Sequence, residues 1–130
     1  MKARILVMNH SPEILAILHD LLEDEGYEVK TAEVRLEHLP TIEQTHPDLI
    51  ILDGLFGQPQ TGWMLLKHMK ANPVIATIPV ILCTTAVREV NERTACLQQL
   101  GIPVLFKPFE IDELLELVRQ VLVADPHQLL

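Results

Sequence analysis

Cysteine is scarce in this 130-residue chain, with Cys83 and Cys96 the only two. Two cysteines cannot build the disulfide framework of a small secreted scaffold. Cys83 lies inside an apolar run and reads as a small core residue rather than a reactive thiol. Basic side chains are also short: 10 Lys and Arg stand against 18 Asp and Glu, a formal charge of −8 with histidine neutral. Nucleic acids and anionic membranes both need a basic patch that displaces counterions. The longest basic grouping is Lys67, His68 and Lys70 on one predicted helix face, so neither partner is expected. No apolar stretch reaches the about 20 residues that span a bilayer, and no signal-peptide h-region opens the chain. The expectation is a cytoplasmic protein of a reducing compartment. Glycine is sparse as well, with five residues. No glycine-rich phosphate cradle follows the first predicted strand, where Asn9-His10-Ser11-Pro12 stands instead. A small flavodoxin-like enzyme or nucleotide binder is therefore only a remote alternative.

What is present is globular: 48% hydrophobic and 22% charged residues, in a length that fits one domain. Short apolar runs alternate with amphipathic ones. Residues 3–8 predict a strand buried on both faces. Ser11 and Pro12 then supply a helix N-cap and first residue. Ile14, Leu15, Leu18, Leu21 and Leu22 give that helix one apolar face, and Gly26 stops it. Residues 27–32 form a weaker strand, and 34–45 an ambiguous helix that Pro40 interrupts. Leu49–Leu52 is the strongest strand. Residues 54–61 read as loop, 62–70 as a helix, 79–83 as a fourth strand, 87–100 as one polar helix closed by Gly101, 102–106 as a fifth strand and 111–123 as the last helix. This βα unit, repeated five times, predicts a doubly wound five-stranded parallel α/β sheet with helices on both faces. One domain is expected over residues 1–124, followed by a short tail at 125–130.

In such a sheet, function gathers beyond the carboxyl ends of the strands. Asn9 and His10 follow the first, Asp53 ends the third, Thr84 and Thr85 end the fourth, and Lys107 follows the fifth. A carboxylate, hydroxyls and an ammonium meeting there suit phosphoryl chemistry. The carboxylate can act as an acyl-phosphate nucleophile, a hydroxyl can hydrogen-bond a phosphoryl oxygen, and the ammonium can neutralise its charge.

The stretches ILVMNHSPEI, PDLIILDG, TGWMLLKHMKANP, IPVILCTTA and VLFKPFEIDELL resemble a response-regulator receiver domain of two-component signalling over essentially the whole length. The resemblance implies a chemotaxis-regulator-like, flavodoxin-like fold and no enzymatic activity beyond self-catalysed phosphoryl transfer. It implies Asp53 as the phosphoacceptor of a histidine kinase or phosphotransfer protein, with Thr84, and Thr85 beside it, as switch hydroxyls. It also implies Lys107, before a cis-proline at Pro108, as the phosphoryl-binding lysine. A downstream signalling protein is the expected further partner, and homodimers form in the family through the fourth-helix, fifth-strand, fifth-helix face.

This sequence departs from the family pattern at telling places. The two adjacent acids that normally hold Mg²⁺ are here Asn9 and His10, and an imidazole is a poor ligand for so hard a cation. The loop after Asp53 reaches Gly62 one residue late, which displaces the metal-binding carbonyl expected from Leu55. Only weakened Mg²⁺ binding is expected, through Asp53 and that carbonyl. The gating aromatic three residues before the lysine is Val104, which has no ring to rotate over the switch threonine. Phe106 is expected on the other face and in the core. For His10 a plain helix-entrance polar residue is favoured, against a pH-sensitive partner of Asp53 or a soft-metal ligand. Trp63, the only tryptophan, reads as helix packing rather than a ligand platform. The expected function is a stand-alone receiver-like module acting by protein contact. An impaired pseudo-receiver, in which Asp53 and Lys107 form a fixed pair, is preferred over a receiver phosphorylated on Asp53.

Overall fold

Five short apolar runs become five parallel strands in the computed structural model, which describes residues 2–35, 39–53, 59–84 and 87–124. The strands are β1 (Arg4–Met8), β2 (Glu28–Ala32), β3 (Leu49–Asp53), β4 (Val80–Thr84) and β5 (Val104–Phe106). The helices are α1 (Pro12–Asp24), α2 (Leu39–Thr45), α3 (Pro59–Ala71), α4 (Val87–Glu92), α5 (Thr94–Gln99) and α6 (Ile111–Ala124). The spatial strand order is β2-β1-β3-β4-β5, and every neighbouring pair is parallel. This is the doubly wound five-stranded α/β sheet expected from the sequence.

The two-residue period of a strand sorts its side chains between two cores. Leu6, Met8, Ile50, Leu52, Val80 and Leu82 face one side, with Ile42 of α2, Leu65, Leu66 and Met69 of α3, Val90 of α4 and Leu97 of α5. Ile5, Val7, Leu49, Ile51, Ile81 and Cys83 face the other, against Leu15, Leu18 and Leu22 of α1 and Leu114, Leu115, Val118 and Leu122 of α6. Cys83 is buried there as expected, and Cys96 is exposed. Each fully buried aliphatic side chain of this kind contributes about 1.5–3 kcal/mol of transfer free energy. The chain winds to the α1 side after β1 and to the α2 side after β2. The carboxyl ends of β1 and β3 therefore flank the point where the winding reverses, which is where open α/β sheets place ligands.

The local signals at α1 act as anticipated. Ser11 Oγ accepts from the Ile14 N–H at 3.3 Å, Pro12 stands at the first helical position, and Gly26 leaves the helix at φ 95°. Elsewhere the structure corrects the expected boundaries. Pro40 does not interrupt a helix: it lies in the first turn of α2, where the missing N–H has no helical partner to lose. Residues 59–61 belong to α3, which Pro59 opens, rather than to a loop. The single helix expected over 87–100 is two helices broken at Arg93, which adopts φ −119°, ψ 18°. The Thr94 hydroxyl donates to the Val90 and Asn91 carbonyls at 3.2 and 3.1 Å, so a side chain satisfies groups that the next helical turn would otherwise take. The strict five-fold βα rhythm thus carries an extra short helix.

Lys70 also departs from expectation, since it does not extend a solvated basic face with Lys67 and His68. Its ammonium donates to the Ala76 and Ile78 carbonyls, both at 3.2 Å, and burial lowers its pKa. With Asn72, whose Nδ2 donates to Glu43 Oε1 at 2.9 Å, it fastens the connection into β4.

Candidate functional site

Parallel strands in register deliver their last residues to one edge of the sheet. Met8 pairs with Leu52, Asp53 with Cys83 and Thr84 with Phe106. Asn9 follows β1 one row beyond the Met8–Leu52 pair, at the level where Asp53 ends β3. The Lys107 N–H donates to the Thr84 carbonyl at 2.9 Å, which holds the lysine backbone at the end of β4. The Lys107–Pro108 peptide is cis. Asn9, Asp53, Thr84 and Lys107, drawn from positions far apart in sequence, therefore share the carboxyl-end edge. Thr85 and Leu55 lie outside the described residues.

Two polar residues on this edge are buried. Thr84 is fully buried, and Asn9 is 5% exposed. The Asn9 backbone N–H donates to the Ala32 carbonyl at 3.2 Å, tying the end of β1 to the end of β2. Its side chain forms an Asx turn, with Oδ1 accepting from the Ser11 N–H at 2.7 Å. That turn sets the entry into α1. His10, between them, is exposed. The sequence signal for the turn was the Asn-x-Ser-Pro run, which mechanism links to a helix start rather than to a ligand.

On β5 the structure corrects the placement of Phe106. Val104 and Phe106 are two residues apart, so strand alternation puts them on the same face. Both line one cavity of about 300 Å³, with Val90, Thr94, Leu97 and Ile102. Phe106 is 37% exposed there and is not a core residue. Leu105, between them, packs against the α1/α6 core.

The opposite edge of the sheet carries a charge cluster that the sequence did not advertise. The Arg4 N–H donates to Asp48 Oδ2 at 2.8 Å, its Nε to Glu28 Oε2 at 3.0 Å, and its Nη1 to the Thr45 carbonyl at 2.5 Å. Arg4 thereby fastens β1 to β2, α2 and the start of β3. Among the described residues, no helix is long and apolar enough to cross a membrane.

Comparison with known proteins agrees with this architecture. The model of the response regulator receiver domain matches residues 5–119. An uncharacterized 14.6 kDa protein in the sodA1 3′ region of Leptolyngbya boryana is 33% identical over 122 residues, covering 94% of this chain and 92% of that protein. Protein PilH of Pseudomonas aeruginosa is 28% identical, over 94% of this chain and 99% of its own length. The structure of the chemotaxis response regulator CheY4 of Vibrio cholerae superposes with a TM-score of 0.76 at 26% identity, covering 93% of this chain and 99% of that one. Against longer transcriptional regulators, such as RpaA of a Synechocystis strain, the chain spans about half the relative's length, 48% in that case. A 2-1-3-4-5 parallel sheet, a family match over nearly its whole length and relatives that are response regulators lead to one conclusion: the chain belongs to the response regulator receiver domain family, a non-enzymatic module of two-component signalling.

Proposed function

We propose that this chain is a receiver-like module, folded over residues 1–124, that signals by protein contact with impaired Mg²⁺-dependent phosphorylation. In this reading Asp53 occupies the phosphoacceptor position, Lys107 and Thr84 the phosphoryl-binding positions, with Thr85 beside them, and Asp53 with Lys107 forms a fixed pair. Receiver domains in general bind Mg²⁺ and exchange contacts with kinases or phosphotransfer proteins and with downstream targets.

The observation that carries the reading is the fate of the two residues after β1. Magnesium demands several hard oxygen ligands in near-octahedral geometry. Asn9 offers one neutral side-chain oxygen in place of a carboxylate, and that oxygen already accepts from the Ser11 N–H at 2.7 Å. His10 brings nitrogen and is exposed. The donor set therefore does not fit the cation, and Asp53 is the one carboxylate left at these positions. A single carboxylate and a lysine at one sheet edge are close to charge balance and do not demand a divalent ion. Phosphoryl transfer draws much of its transition-state stabilisation from the metal, so the step is expected to be slow here.

A working receiver is the second reading, favoured by the buried Thr84 and by the Lys107–Thr84 backbone bond. Intact mass after incubation with acetyl phosphate across a range of Mg²⁺ separates the two. The pseudo-receiver predicts no metal-dependent gain of one phosphoryl mass. A gain that rises with Mg²⁺ and vanishes in Asp53→Asn establishes the working receiver instead.

A further inference from the structure

The sheet divides the charge of this chain as well as its core. On one side, α1 carries Glu13, Asp20, Glu23 and Asp24 with no lysine or arginine, and α6 carries Asp112, Glu113 and Glu116 against Arg119 alone. On the other, Lys67, Lys70, Arg88 and Arg93 outnumber Glu43 and Glu92 across α2, α3 and the α4–α5 pair. Most of the net charge of −8 thus belongs to the α1/α6 layer. Each layer also leaves an apolar stripe in water. Leu15, Leu18 and Leu22 of α1 turn into the core, and the helical period leaves Ile14 and Ile17 together on the outer face, Ile17 at 55% exposure. Glu13 and Asp20 border them, both exposed. On α3, Leu65, Leu66 and Met69 turn inward. Met64, Lys67, His68 and Ala71 form its exposed stripe, at spacings of three and four. Met64 is 44% exposed, and Val74, in the turn that follows α3, is exposed as well. The α1 stripe is apolar with an acidic border, and the α3 stripe is apolar with a basic one.

We propose that these two stripes bind one another between copies of this chain, α1 of one molecule on α3 of the next. The two helices lie on opposite faces of the sheet. The contact is therefore heterologous: each copy binds with one surface and presents the other. The charges select a second copy as the occupant, because the α2–α5 layer is a surface of opposite sign on the same molecule. A symmetric pairing through α1 would instead bring the acids of both α1 helices together. Growth is open-ended, and it is weak, since exposed ion pairs contribute little each. Neither stripe includes Asp53, Thr84 or Lys107, so assembly is independent of phosphoryl chemistry and of the reading given above.

Sedimentation velocity of the full chain, from micromolar to millimolar concentration, tests this. The expected result is a sedimentation coefficient that rises with concentration and does not level off at a dimer. In about 1 M NaCl, where charges are screened beyond about 3 Å, the same rise needs about tenfold more protein. Ile17→Glu and Met64→Glu each place a carboxylate in one stripe, at exposed positions where the fold tolerates change. Circular dichroism checks that both variants are folded. Each variant alone is expected to stay monomeric. Mixed in equal amounts they form a dimer and stop, because each retains the stripe that the other has lost. The proposal is overturned if the unsubstituted protein is monomeric at every concentration, a result that needs no variant. Assembly that salt leaves unchanged overturns it, and so does a dimer that both variants keep. A mixture that grows beyond a dimer, or that forms no complex, overturns it as well.

Discussion

The two edges of this sheet use polar residues in opposite ways. At the N-terminal edge, Arg4 donates to Asp48, Glu28 and the Thr45 carbonyl, and the Asp48 N–H returns a bond to the Arg4 carbonyl at 2.7 Å. Those groups answer one another and close the fold. At the carboxyl-end edge, Asn9 spends its side-chain oxygen on the entry to α1, and Asn9 and Thr84 are both buried where the strand ends of β1, β3 and β4 meet. The first arrangement is structural, because its hydrogen bonds join β1 to β2, α2 and the start of β3. The second lies where an open α/β sheet places its ligands.

This contrast can be broken by substitution. The largest stability loss is expected from Asp48→Ala, which strips the acceptor from the Arg4 N–H at the sheet edge and costs about 2 kcal/mol. A lowered urea midpoint with an unchanged Mg²⁺ titration is the expected outcome; altered Mg²⁺ binding would mean that the two edges are coupled. Arg4→Ala follows at about 1–1.5 kcal/mol. The partners of the Arg4–Glu28 pair are 36% and 40% exposed, so screening reduces its share and most of the loss traces to the Thr45 carbonyl. Asn9→Ala removes the Asx-turn bond and is expected to cost about 1 kcal/mol by the same measurement. The smallest stability change, within about 0.5 kcal/mol, belongs to His10→Asp at an exposed position. That variant regains Mg²⁺ affinity only in part by calorimetry, because Asn9 still supplies a neutral amide where a second carboxylate is needed. Full recovery from His10→Asp alone would show that Asn9 does not oppose the cation.

Much of the fold was legible because its signals were local. The apolar runs at Leu49–Leu52 and in β1 admit little but buried strands, and Ser11-Pro12 states a helix start directly. The misreadings share a cause, which is that the deciding partner lies elsewhere in the chain or depends on exact phase. The break at Arg93 follows from where the Thr94 hydroxyl turns, and apolar periodicity does not report that. The two-residue spacing of Val104 and Phe106 placed them on one face, and reading them as opposed was an error of phase. Arg4 looked like one charge among many, since Asp48 is 44 residues away. At the candidate site, residue types and strand ends pointed to the same edge the structure assembles. The turn made by Asn9 needed coordinates, because only they show its side-chain oxygen accepting from the Ser11 N–H.

A pseudo-receiver requires Asp53 and Lys107 to balance each other without a metal. A double-mutant cycle with Asp53→Asn and Lys107→Met, measured by urea unfolding in metal-free buffer and again with Mg²⁺, tests this directly. The predicted result is a favourable coupling of about 1–3 kcal/mol that Mg²⁺ leaves unchanged. A coupling near zero, or one that collapses when Mg²⁺ is added, would contradict it.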